Sequence, residues 1–311
     1  MTDPGDPRPP ITAETISWGD FHTIARAISL VENSKPGADE LLKSLQHKPV
    51  PVIGITGPPG AGKSTLVDAL VRLFTANGKK LAILCVDPSS AFHSGALLGD
   101  RIRMNRWYND PLVFIRSLAS RGAVGGLNPR IFQITDLLSN AGFDFILIET
   151  VGVGQTEVDI TRLADQVVLV LVPESGDDIQ TLKSGIMEIG DIFVVNKSDR
   201  PGADQFLHSL KSSVHYQTVK PMDEINFMQT VATEEKGVAE LHQLILENIH
   251  RHSPDRPAKL FAEKAWQLIT ANRMRGIHMD ELRTAVEKAM QDPGFNLYRF
   301  AETFAASGVG H

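Results

Sequence analysis

Two short strings hold most of the residues in this chain that could do chemistry. Gly57-Pro58-Pro59-Gly60-Ala61-Gly62-Lys63-Ser64-Thr65 pairs a glycine-rich turn with a lysine and two hydroxyls. Backbone NH groups of such a turn, with those opening the next helix, form a cradle for an anion. Lys63 would then lie across β- and γ-phosphates as a point charge, and the Ser64 hydroxyl would ligate Mg²⁺. Ile148-Glu149-Thr150-Val151-Gly152-Val153-Gly154-Gln155 places an acid after an apolar run and before two glycines. A carboxylate at Glu149 suits a Mg²⁺ shell, and Gly152 lets a backbone NH approach a γ-phosphate. Gln155 is the residue chemically suited to orient an attacking water. Asp87 and Asp100 are further acids available to the metal shell.

The base is read by Asn196-Lys197-Ser198-Asp199. A carboxylate at Asp199 can accept from the ring NH and exocyclic amine of guanine, an arrangement adenine cannot match. Asn196 can secure the loop and the base edge, and the Lys197 stem can cover the ring face. Backbone groups at Ala232 and Thr233 are placed to meet the guanine carbonyl. The expected ligands are therefore GTP or GDP with Mg²⁺.

These strings need elements to hold them. Short Val- and Ile-rich runs at Val52 to Thr56, Leu81 to Val86, Val113 to Ile115, Phe143 to Ile148, Val167 to Val172 and Ile192 to Val195 alternate with helical periodicity. That pattern predicts an α/β fold, a P-loop NTPase with a mostly parallel, doubly wound sheet flanked by helices. Residues 1–48 read as an N-terminal helical extension, in two helices broken around Ser34-Lys35-Pro36-Gly37. Residues 49–252 form the nucleotide domain, and 253–311 a helical C-terminal region broken at Arg275-Gly276 and Asp292-Pro293-Gly294.

Composition narrows the class. With 311 residues and a formal net charge of -6 there is no electrostatic case for a nucleic-acid or anionic-membrane partner. The lone Cys85 excludes an intrachain disulfide and a multi-cysteine metal cluster. No apolar run approaches the roughly 20 residues of a membrane span, and the start, MTDPGDPRPP, lacks the pattern of a signal peptide. A cytoplasmic protein is expected.

Read together and in order, the phosphate loop, Asp87-Pro88-Ser89-Ser90, Gly99-Asp100-Arg101, Arg121-Gly122 with Gly125-Gly126-Leu127, the Glu149 string and Asn196-Lys197-Ser198-Asp199 resemble the MeaB/ArgK family. The resemblance covers nearly the whole chain, since Gly19-Asp20 and Ala25-Arg26-Ala27-Ile28-Ser29 also match its N-terminal helix. It implies a GTPase chaperone that gates adenosylcobalamin delivery to an acyl-CoA mutase such as methylmalonyl-CoA mutase and protects or reactivates it. An adenosyltransferase is a further implied partner, and 253–311 would be the arm that joins a homodimer. One departure is Pro173-Glu174-Ser175-Gly176-Asp177-Asp178-Ile179-Gln180, where the family commonly has Pro-Gly-Ala-Gly-Asp-Glu-Leu-Gln. Three other readings stay open: a nickel-insertion GTPase and a kinase linked to amino-acid transport, both suggested by the resemblance, and a protein that uses nucleotide only structurally.

Overall fold

The computed structural model describes residues 10–87, 104–119, 127–150, 160–176, 188, 190–218, 221–251, 256–274, 277, 279–292 and 294–306. Asp100, Gly152 and Gln155 lie outside them, and of Asp87 only the backbone is described.

Seven parallel strands form one sheet: β1 Val52–Thr56, β2 Leu81–Asp87, β3 Val113–Ala119, β4 Phe145–Thr150, β5 Gln166–Leu171, β6 Ile192–Asn196 and β7 Asn226–Thr230. Their order is β3-β2-β4-β1-β5-β6-β7, so the chain winds outward on both sides of β1. Every residue of β1, β4, β5 and β6 is buried, as continuous Val/Ile/Leu runs covered on both faces require. Because all strands are parallel, the C-terminal ends of β1, β4 and β6 share one rim, where open α/β sheets bind ligands.

The helices are α1 Ala13–Ser17, α2 Phe21–Glu32, α3 Ala38–Ser44, α4 Lys63–Ala76, α5 Ile131–Ser139, α6 Ala203–Gln217 and α7 Val238–Arg251. One face of the sheet packs Ile146, Ile148 and Val167 against Ile24 and Ile28 of α2 and Ile134 and Leu138 of α5. The other packs Ile53, Ile55 and Leu147 against Leu66 and Leu70 of α4 and Leu241 and Ile245 of α7. Phe206, Leu210 and Val214 of α6 cover Leu169, Phe193 and Val195.

The expected N-terminal pair of helices has an additional break, at Trp18 to Asp20. Gly19 adopts φ +73°, and the Asp20 carboxylate then caps α2 by accepting from the Thr23 amide at 2.7 Å. Hydrogen bonds from Thr23 hold that carboxyl below its ordinary pKa. The Lys80 amine fastens this corner to the sheet: it donates to the Gly19 carbonyl at 3.2 Å and stands 5.2 and 5.3 Å from the Phe21 and Phe143 ring centroids.

The chain separates into two compact units, Met1–Arg256 and Pro257–His311. The N-terminal helices belong to the first. The second carries most of α8 Arg256–Arg273 and all of α9 Met279–Ala289 and α10 Leu297–Ala306. It exposes Phe261, Trp266, Leu268, Ile269 and Tyr298, and its α10 stacks Phe300 on Phe304 at 5.5 Å. No helix among the described residues is long and apolar enough to cross a membrane.

Candidate nucleotide site

The phosphate loop leaves β1 at Gly57, whose φ of +136° suits glycine and whose backbone is pressed against β5. A Cβ added there would lie 2.0 Å from the Val170 carbonyl oxygen. The loop then enters α4 through Gly62, φ +87°. Lys63, 7% exposed, folds its amine back over the loop and donates to the carbonyls of Gly57 at 2.7 Å and Pro58 at 2.9 Å. Its charge is thereby fixed above the turn by two bonds to the loop's own backbone. Thr65 lies exposed on the first turn.

Glu149 belongs to β4 itself: the strand runs from Phe145 through Thr150, two residues beyond the apolar run the sequence delimits. Its backbone lies in register with Ile55 of β1 and Cys85 of β2. Its carboxylate is buried, and Oε1 accepts from the Ser64 hydroxyl at 2.6 Å. Two of the four residues proposed from sequence for the metal shell, Ser64 and Glu149, are thus in direct contact across 85 positions of chain. β2 ends at Asp87, opposite Ala119.

The donor set is one hydroxyl and one carboxylate, both hard oxygens. Among the described residues no group of three or more His, Cys, Asp or Glu could hold a metal unaided. That sparse oxygen set suits Mg²⁺, which keeps several waters and completes its octahedron on substrate phosphates.

The second arm of the site comes from β6. Asn196, 2% exposed, donates from Nδ2 to the Ala61 carbonyl at 2.8 Å, and its Oδ1 accepts from Thr230 Oγ1 at 3.0 Å and the Ala232 amide at 3.1 Å. Lys197 adopts φ +56° and donates from Nζ to the Gly60 carbonyl at 2.7 Å. The guanine string is therefore bolted to the phosphate loop through Gly60 and Ala61. It is joined equally to the turn after β7, where the Ala232 amide serves as a buttress for Asn196. Asp199 is exposed at the same rim, as is Thr233.

Sequence reading missed the clamps around α4. Asp68, one turn beyond Ser64, accepts from Trp107 Nε1 at 2.7 Å and pairs with Arg106. Arg106 lies 4.8 Å over the Trp107 ring, so this arginine is committed to the helix. One turn further, Arg72 pairs with Glu235 in the β7–α7 turn. The i, i+4 spacing of Ser64, Asp68 and Arg72 was the available signal.

A protein-family model described as methylmalonyl Co-A mutase-associated GTPase MeaB matches residues 24–291, most of the chain. The chain belongs to the MeaB family. A putative GTPase of Pyrococcus horikoshii is 44% identical over 268 residues, covering 84% of this chain and 81% of that protein. The GTPase ArgK of Escherichia coli is 34% identical over 243 residues, covering 74% of this chain and 72% of that protein. A mitochondrial methylmalonic aciduria type A homolog of mouse is 39% identical over 192 residues, covering 57% of this chain and 46% of that protein. In fold, the chain matches the crystal structure of a LAO/AO transport system kinase with a TM-score of 0.67 at 23% identity, over 96% of each chain. As a MeaB-family member the protein binds guanine nucleotide and hydrolyses GTP.

Proposed function

We propose that this GTPase gates adenosylcobalamin delivery to a cobalamin-dependent acyl-CoA mutase such as methylmalonyl-CoA mutase, in the cytoplasm, and protects or reactivates that enzyme. The observation that carries the reading is the Ser64–Glu149 bond at 2.6 Å. It joins the phosphate loop to the first residues of the Glu149-Thr150-Val151-Gly152 string, so the same contact that would hold the metal can pass nucleotide state into the chain that follows. The family's description as mutase-associated supports the partner class.

In the proposed chemistry, the amides of residues 57–62 and the start of α4 bind the phosphates, and Lys63 offsets negative charge developing between the β- and γ-phosphates. Asp199 takes the guanine edge while Asn196 and Lys197 hold the base loop on the phosphate loop. Ser64 and Glu149 would hold Mg²⁺, with Asp87 and Asp100 as acids that complete its surroundings. Bound there, the ion neutralises phosphate charge. Gly152 senses the γ-phosphate, and Gln155 orients the water that attacks in line. Residues 253–311 are proposed as the arm joining two copies, supported by the apolar side chains α8 exposes, Trp266 at 72% and Ile269 at 51%.

The test is inactivation of purified methylmalonyl-CoA mutase during turnover, with and without this protein, in GDP, GTP and a non-hydrolysable analogue. Slower inactivation that depends on nucleotide and is lost in Lys63→Ala is expected. Equal inactivation in every state, with no complex on co-sedimentation, would refute the chaperone reading and leave the GTPase intact. Light scattering should find a dimer that Trp266→Glu dissociates.

A further inference from the structure

We infer that the buried Thr56–Thr150 hydroxyl pair is a positioning element of the GTPase reaction, coupling the root of the phosphate loop to the root of the Glu149 turn. Thr150 Oγ1 donates to Thr56 Oγ1 at 2.8 Å, and neither threonine is exposed to solvent. Thr56 is the residue before Gly57, and Thr150 the residue after Glu149.

The last two residues of β4 therefore grip the phosphate loop at both ends. Glu149 takes the Ser64 hydroxyl just beyond the loop, at 2.6 Å; Thr150 takes Thr56 just before it. They do so from opposite faces of the sheet. Phe145 and Leu147 pack in the core with α4, Ile146 and Ile148 in the core with α2 and α5, so the alternation carries Glu149 toward α4 and Thr150 away from it. On its other flank the loop root abuts β5, where the Val170 carbonyl leaves no space for a Cβ on Gly57. With β5 fixed against Gly57 and β4 bonded on both faces, a shift of the loop along the strand axis must move Thr150, and the chain continues directly from Thr150 into Val151-Gly152.

Two valines would fill the same volume without a polar atom to satisfy. A buried hydroxyl pair at this point, aligned one register step beyond Ile55 and Glu149, adds direction that shape alone does not. Its loss should leave nucleotide binding near normal while displacing the turn that must meet the γ-phosphate, which lowers the rate of the chemical step.

The experiment is single-turnover GTP hydrolysis by the full-length protein, with GTP and GDP affinities measured separately, for Thr56→Val, Thr150→Val, the double variant and Thr150→Ser. Each single valine variant is expected to lower the hydrolysis rate about tenfold with affinities within about twofold of the original. The double variant should be no slower than either single, because the pair acts as one unit, and Thr150→Ser should recover most of the rate. Unchanged rates in the single variants, losses that multiply in the double, or a serine as slow as valine would overturn the inference. If a single variant fails to fold, the double variant, with its matched apolar pair, decides: a normal rate there overturns it. The inference rests on the Glu149 turn reading the γ-phosphate, and Glu149→Ala separates the two. A normal rate in that variant would refute the turn itself, whereas its loss beside a normal Thr150→Val refutes only the threonine pair.

Discussion

Replacing Asn196 by alanine tests whether the guanine arm and the phosphate loop are one mechanical object. The side chain is 2% exposed and makes three hydrogen bonds, to Ala61 O, Thr230 Oγ1 and the Ala232 amide. At about 1 kcal/mol net for each bond, the loss is about 3 kcal/mol, with the partners left unpaired pushing it upward. That is roughly a hundredfold in the ratio of folded to unfolded protein. Urea unfolding read from Trp107, in a background with Trp18 and Trp266 changed to Phe, reports the first unit. With a slope of about 3 kcal/mol/M, the midpoint should fall by roughly 1 M. Guanine-nucleotide affinity should fall with it, and the Ala232 amide should exchange faster with solvent. Asn196→Asp should be no better, since it keeps the acceptor but turns a carboxylate toward the Ala61 carbonyl. A midpoint shift below about 0.3 M with unchanged Ala232 exchange would refute the reasoning, because three buried bonds cannot be removed so cheaply.

Other expectations follow from single contacts. Gly57→Ala combines a φ of +136° with a Cβ 2.0 Å from the Val170 carbonyl; a loss of about 3 kcal/mol or more is expected, measured by thermal melting, and a wild-type melt would contradict the packing of β1 on β5. Asp68→Ala strands Trp107 Nε1, which donates to it at 2.7 Å, and should reduce stability by about 1–3 kcal/mol in the same urea assay. His242 packs edge-on against Phe74 with centroids 4.5 Å apart, and among the described residues its Nε2 finds no hydrogen-bond partner. Burial holds its pKa below the ordinary value, so the unfolded chain takes up a proton first and stability falls as pH drops below about 6.5. His242→Leu should remove that acid-side loss, so that the urea midpoints of the two proteins diverge between pH 7.5 and pH 5.5.

What the sequence made legible was set by how strongly each element depends on local pattern. The buried strands and the glycine-lysine turn announce themselves, because continuous Val/Ile runs and positive-φ glycines have few other uses. β7 does not: Asn226-Phe227-Met228-Gln229-Thr230 lies at the sheet edge, mostly half-buried, and has no apolar run to find. β3 extends to Ala119, past the Val113 to Ile115 run, because Arg116 and Ser117 also sit on an edge strand, where Arg116 reaches Glu32 and Ser29. Glu149 reads as a residue beyond its strand for a related reason: hydrophobicity stops at Ile148 while backbone pairing continues. Nor does sequence separate the three tryptophans, of which Trp107 is buried while Trp18 is 64% and Trp266 72% exposed. Spacing names the chemistry at Lys63, Ser64 and Asn196. The cross-chain bonds that position it, Thr56 to Thr150 and Asp68 to Trp107, depend on strand order and helix docking that no local window contains.

The backbone of Lys197 has a consequence for anyone who would engineer this protein. A side chain at φ +56° carries about 1 kcal/mol or more of conformational strain that glycine would relieve. A screen for heat resistance should therefore favour glycine at this position, and in doing so would discard the amine that holds Gly60. Selection for endurance and selection for nucleotide handling pull in opposite directions at this one residue.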